Sequence, residues 1–280
     1  MRVLNTVTKE EITSDGIAIL QTDDGNIFYC ERLLNRQKGY ATRLYVRRET
    51  EVIADLFCDE IDVIAVFGNE IVFTSKGKIH KAAVAESTIT ISYVRDLLKD
   101  EKVLARGICS RRDEDKMYLY RLIDDPVKDG ILVDPAEEEL EKLALHSIHT
   151  GKVIYLAQRS DIEGRTVRIL RDNIIVAEFN DLSPTWAWSN DTSSFIYFGD
   201  NSVMHTLDTE TMKFLMPMRF EHLHDPVIRS IESIVGVHNG VMSMIYTKTD
   251  GKSYLISAKL PIRYYVKKDT IAQIIERIED

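Results

Sequence analysis

Six pairs of short apolar runs, recurring at a near-constant interval and joined by turn-forming residues, predict an all-β chain folded as a six-bladed β-propeller. The first member of each pair begins at Ile17, Val63, Val103, Val153, Phe195 and Val241, at intervals of 46, 40, 50, 42 and 46 residues. The mean of about 45 matches a four-stranded blade. The second members are Ile27 to Cys30, Ile71 to Thr74, Met117 to Tyr120, Thr166 to Ile169, Val203 to Thr206 and Tyr254 to Ser257. Asp24-Gly25, Gly68-Asn69, Asp200-Asn201 and Asp250-Gly251 supply the residues that accept positive φ in tight hairpins.

A third run follows each hairpin, at Leu44 to Val46, Ile79 to Val84, Ile131 to Val133, Ile174 to Val176, Phe214 to Met216 and Tyr264 to Val266. A fourth precedes each opening run. One four-stranded sheet cannot bury both its faces, whereas radial stacking of such sheets does so and leaves only short edges. The expected organisation is a single domain over 1–280, with blades at 1–50, 51–87, 88–139, 140–181, 182–225 and 226–268. The strand near Leu4 belongs to the first blade or completes the last.

Two helices are expected beside the strands. Asp134-Pro135 followed by Glu137, Glu138 and Glu139 places a cap, a first-turn proline and acidic residues where a helix N-terminus favours them, which predicts a short insert at about 135–145. Ile271, Ile274, Ile275 and Ile278 recur at helical spacing after Asp269-Thr270 and predict an amphipathic C-terminal helix over 269–280.

The fifth unit carries the most specific pattern: Pro184, Trp186, Trp188-Ser189, Asp191, the apolar strand from Phe195, then Val203 to Asp208. This layout resembles the TolB-like and WD40-like propeller repeat, an architecture and not a single activity. The resemblance implies a rigid disc that docks other proteins.

Composition narrows the function classes. Apolar residues make up 44% and charged residues 29% of the 280, as in a folded chain, and the net charge of -9 repels polyanions and anionic membranes at long range. No apolar stretch is long enough to span a bilayer, and no signal-peptide pattern opens the sequence. Cys30, Cys58 and Cys109 are odd in number and form no CxxC, so a reducing, cytoplasmic setting is expected.

Phosphate-loop, dinucleotide, nucleophile-elbow, zinc-protease and EF-hand motifs are absent from the sequence, so no cofactor, metal or catalytic residue is assigned. His222 and His224 alternate on a strand-like stretch, and His146 and His149 lie three apart, but neither pair has a third ligand nearby. Asp23-Asp24, Asp59-Glu60 and Asp124-Asp125 are read as turn formers ahead of catalytic carboxylates.

Positive charge is concentrated in the first unit, where Arg32, Arg36, Lys38, Arg43, Arg47 and Arg48 interleave with Tyr40 and Tyr45 on an expected hairpin. Glu31, Glu49 and Glu51 offset part of it. Arg36, Lys38, Arg43, Arg47 and Arg48, together with Trp186 and Trp188, are the candidate partner-binding residues, the tryptophans being equally suited to the core between blades. The expected function is a non-catalytic interaction or scaffold module within a larger assembly, with other proteins, acidic ones among them, as partners. The alternatives are a hydrolase or lyase with a central-channel site, and a nucleic-acid contact through the hairpin at 32–48.

Overall fold

A computed structural model of the chain describes residues 2–4, 6–12, 17–35, 39–48, 51–103, 107–133, 144–149, 152–161, 164–171, 174–180, 186–188, 195–199, 203–220 and 228–265. The chain divides into two compact units, Ser14–Ser183 and a second made of Met1–Thr13 with Pro184–Asp280.

The chain opens with β1 (Arg2–Leu4) and β2 (Thr6–Ile12), whose partners lie far along the sequence. Four consecutive sheets then fill the Ser14–Ser183 unit, and each is made of four strands in chain order. The first holds β3 (Ile17–Gln21), β4 (Ile27–Asn35), β5 (Gly39–Arg48) and β6 (Glu51–Asp59). The second holds β7 (Val63–Phe67), β8 (Glu70–Ser75), β9 (Lys78–Ala85) and β10 (Thr88–Asp96). The third holds β11 (Glu101–Val103), β12 (Ile108–Asp113), β13 (Lys116–Arg121) and β14 (Ile131–Val133). The fourth holds β15 (Ala144–His149), β16 (Lys152–Asp161), β17 (Gly164–Arg171) and β18 (Ile174–Asn180).

Alternation along these strands makes the core. On β5, Thr42, Leu44 and Val46 are buried, and the last two join Phe28, Cys30 and Ala54 against Ile71, Phe73, Ala82 and Ile89 of the second sheet. The opposite face of that second sheet sends Ala65, Phe67, Val72 and Ile79 against Cys109, Tyr120 and Leu122 of the third. The inner strands β8 and β9 of the middle sheet thus bury side chains on both faces, Ile71 and Phe73 against Val72 and Thr74 on β8 and Ala82 against Ile79 on β9, which is what stacked small sheets require.

The other unit contains the strands that follow. β19 (Trp186–Trp188), β20 (Phe195–Gly199), β21 (Val203–Asp208), β22 (Lys213–Phe214) and β23 (Met218–Phe220) form one sheet, to which β1 adds by parallel pairing with β23. β24 (Ile228–His238), β25 (Val241–Lys248) and β26 (Ser253–Lys259) form the last sheet, and β2 completes it by antiparallel pairing with β26. Trp186, Trp188, Phe195 and Tyr197 pack with Ile231, Met242, Met244 and Tyr246 in one apolar core. A 3-10 turn, Ile262–Tyr264, follows β26 and seals that core with the fully buried ring of Tyr264.

The all-β propeller fold is therefore as the repeat predicts, with corrections in detail. Among the described residues five sheets have the expected four strands, whereas the β19–β23 sheet with β1 has six, so five four-stranded blades form and not six. Boundaries shift by one strand: β6 and β10, placed by the sequence in the second and third blades, are the outer strands of the first and second sheets. Of the third run expected at Tyr264 to Val266, Tyr264 lies in the 3-10 turn and Tyr265 follows it, because β2 occupies the position beside β26; Val266 lies outside the described residues. No α-helix is found among the described residues. Of the insert expected at 135–145, Ala144 and Leu145 begin β15, and 135–143 lie outside the described residues, as does the expected helix at 269–280.

Candidate functional site

The predicted basic hairpin forms as β4 and β5, with register Glu31↔Arg43, Tyr29↔Tyr45 and Ile27↔Arg47. β6 adds on the far side, placing Phe57 beside Arg43, Asp55 beside Tyr45 and Val52 beside Arg47. Because Thr42, Leu44 and Val46 turn inward, Arg43, Tyr45 and Arg47 share the other face with Val52, Asp55 and Phe57.

On that face Arg43 is the organising side chain. Its Nη2 donates to Asp55 Oδ2 at 2.6 Å, its Nε donates to both Asp55 oxygens at 3.1 Å, and Glu31 Oε2 stands 3.8 Å from Nη1. The guanidinium lies 4.8 Å from the centre of the Tyr45 ring and 6.0 Å from that of Phe57. Tyr45 in turn stacks on Tyr29 with centres 5.0 Å apart and planes 7° off parallel, and Arg47 sits 5.4 Å above Tyr29. Arginine held against aromatic rings presents charge and apolar area together at low entropic cost. Beside this stack Phe57 is 64% exposed and Val52 49% exposed, large apolar side chains left in water on an outer strand.

The remaining candidates are placed as follows. Arg48 ends β5 opposite Glu51, and Arg36 and Lys38 lie outside the described residues. Arg32 pairs with Glu60. Glu31, Asp55 and Glu60 thus offset part of the charge that Arg32 and Arg43 bring to this hairpin. Trp186 and Trp188, only 4% and 8% exposed, stand in the core of the other unit, where they pack and leave little ring for a partner. Val52 and Phe57 were not singled out from the sequence, where a lone Val or Phe on an apolar strand reads as core; the acids flanking them on β6 are the available signal.

Chemistry-bearing groups elsewhere are tied up structurally. Asp24 Oδ2 accepts from Asn26 Nδ2 at 2.8 Å in the β3–β4 turn, and Asp59 pairs with Lys76 at 2.9 Å. Asp124 caps its own turn through Arg121, accepting its Nη2 at 2.7 Å and its backbone N–H at 2.9 Å. His222 and His224 lie outside the described residues, and His146 and His149 belong to β15, with His149 opposite Lys152 and His146 at a register shift. Among the described residues no group of three His, Cys, Asp or Glu is placed to hold a metal ion.

One buried polar cluster joins the second and third sheets. Arg95 Nη1 and Nη2 donate to the two Glu101 oxygens at 2.8 and 2.6 Å, the Leu98 N–H donates to Oε2 at 2.9 Å, and Cys109 and Tyr120 adjoin. Burial raises the Glu101 carboxyl, but the hydrogen bonds from Arg95 and Leu98 outweigh it and hold the group below its ordinary 4.5. Burial and the Glu101 charge push the Cys109 thiol and the Tyr120 phenol well above their usual ranges. A protonated thiol beside a carboxylate is a packing group and a poor nucleophile.

Serial four-stranded sheets, each with its own hairpins, place the chain among the β-propeller proteins. No protein-family model matches the chain, and no curated protein matches it. Among solved structures it is similar to Hsv2p of Kluyveromyces lactis, at 12% identity over 88% of this chain and 72% of that one, with a TM-score of 0.41. It is similar also to Hsv2 of Kluyveromyces marxianus, at 9% identity over 83% of this chain and 89% of that one, with a TM-score of 0.38. Among the described residues no helix is long and apolar enough to cross a membrane.

Proposed function

We propose that the chain is a non-catalytic interaction module that holds another protein as part of a larger assembly. The observation that carries this reading is the exposed pair Val52 and Phe57 beside the stacked Arg43 and Tyr45. Arginine and aromatic side chains gathered around exposed apolar area are the composition of interface hot spots. The sheet that holds the Trp186 to Trp188 strand is, in this reading, a unit of the WD40-like or TolB-like kind. Three free cysteines, two of them buried, fit a reducing, cytoplasmic setting.

The test is affinity purification of the wild-type chain and of Phe57→Lys from the source cells, with identification of what copurifies. Phe57 is exposed, so the variant folds; a protein retained by wild type and lost by Phe57→Lys supports the reading. Identical partners for both chains remove this face from it.

A further inference from the structure

The β6 edge deepens that reading. Among the described residues β6 has a strand neighbour, β5, on one side only, and its outer side is the margin of the sheet. The register shift at Val46/Arg47 puts a bulge at the Val52 end and leaves Ala54 to Asp59 in regular register. Edges are ordinarily protected by lysine, proline or shortness. β6, with nine residues, has no lysine, arginine or proline. The outer strands of the second and third sheets differ: β10 exposes Thr88, Thr90 and Ser92 and carries Arg95, and β14 has three residues.

Along the regular stretch, Asp55, Phe57 and Asp59 lie on one face, an acid, an exposed aromatic and an acid at alternate positions. We propose that the free edge of β6 over Ala54 to Asp59 receives an extended segment of a partner protein as a fifth strand, with basic side chains opposite Asp55 and Asp59 and an apolar one opposite Phe57. Main-chain hydrogen bonds supply the attachment and the alternate side chains the specificity. Charge favours a basic occupant. Antiparallel pairing of β6 with a second copy centred on Asp55 sets Asp55 against Asp55 and Glu51 against Asp59, like charges directly opposite. A basic and apolar strand meets the same positions with opposite charge, adding to the ion pairs that Asp55 makes with Arg43 and Asp59 with the exposed Lys76, and the chain's net charge of -9 draws it in.

The probe is a labelled nine-residue peptide of alternating threonine, with lysine, valine and lysine at the positions that face Asp55, Phe57 and Asp59. One control groups the three residues together, and another replaces lysine by glutamate. Fluorescence anisotropy is expected to show the patterned peptide binding about tenfold or more tightly than either control. Hydrogen exchange is expected to slow at alternate amides of Ala54 to Asp59. Phe57→Lys and Asp59→Lys, both at exposed side chains, are expected to weaken binding about tenfold without change in Tm.

Equal binding of the grouped control, protection elsewhere, or no binding up to about 1 mM peptide overturns strand addition. So does a concentration-dependent dimer in sedimentation that Phe57→Lys abolishes, since the occupant is then a second copy. The proposal rests on the face being the interaction site, and its failure is separable. If Phe57→Lys loses the copurifying protein while no peptide protection appears, the face stands and strand addition falls.

Discussion

Arg95 grips Glu101 through two parallel hydrogen bonds of 2.6 and 2.8 Å, tying the outer strand β10 of one sheet to the first strand β11 of the next. The Glu101 side chain has no exposed surface and that of Arg95 is 18% exposed, so water screens the pair weakly.

Removing the Glu101 charge leaves Arg95 uncompensated in this interior. Glu101→Gln is expected to cost about 3–5 kcal/mol at neutral pH in urea denaturation. The pH dependence has a definite sign. Folding lowers the Glu101 pKa, so its contribution is complete above the ordinary 4.5 and fades as pH falls through the lower folded value. The gap between wild type and variant should close below pH 4.5; a gap independent of pH disproves the ionic account.

Thiol chemistry should follow burial. Burial and the neighbouring Cys58 push Cys30 up to about 12, and Cys109 is raised further, so neither supplies thiolate at pH 8. Cys58, half-buried and raised to a lesser extent, is the group expected to react with a disulfide reagent in the native state, and slowly. All three should titrate at once in denaturant.

Gly107 and Gly77 both have positive φ, 74° and 72°, yet they should respond differently to alanine. A Cβ at Gly77 meets nothing within 4 Å, and Gly77→Ala should cost about 1–2 kcal/mol from backbone conformation alone. At Gly107 the same atom lies 2.6 Å from the Ala65 Cβ and 2.9 Å from the Phe67 ring, between the second and third sheets. Gly107→Ala should therefore add about 1–3 kcal/mol of overpacking to that cost, read as a lower denaturation midpoint at unchanged slope.

Two tyrosines act in series. Tyr197 Oη donates to the carbonyl of Tyr264 at 2.6 Å, and Tyr264 Oη donates to the carbonyl of Met216 at 2.6 Å. Tyr197→Phe and Tyr264→Phe should each cost about 1–2 kcal/mol, and the double variant should depart from additivity by about 0.5 kcal/mol or more, since both bonds position residue 264.

Hairpins were legible because both strands and their turn lie within a few residues. Ile17 to Gln21 with Ile27 to Cys30 is such a case, where Gly25 takes φ 88° as the Asp24-Gly25 turn requires. The Asn239-Gly240 turn, with φ 47° and 73°, carries the same signal. Outer strands were assigned to the wrong sheets because their alternation is weak: β10 exposes Thr88, Thr90, Ser92 and Tyr93, and nothing local says which neighbour it joins. The pairing of β2 with β26 has no local signal at all. On the candidate face, the arginines announced themselves by charge; their neutralisation by Asp55 and Glu60 depends on cross-strand register that no linear pattern reveals.

The β2–β26 pairing also sets a timetable. Thr6–Ile12 is synthesised some 240 residues before Ser253–Lys259, the strand it needs. At about 5–20 residues per second on the ribosome, the early strand waits roughly 10 to 50 s with its backbone unpaired. A nascent chain that has already made its middle sheets still carries an unpaired β2, and the emergence of Ser253–Lys259 is what lets that sheet close.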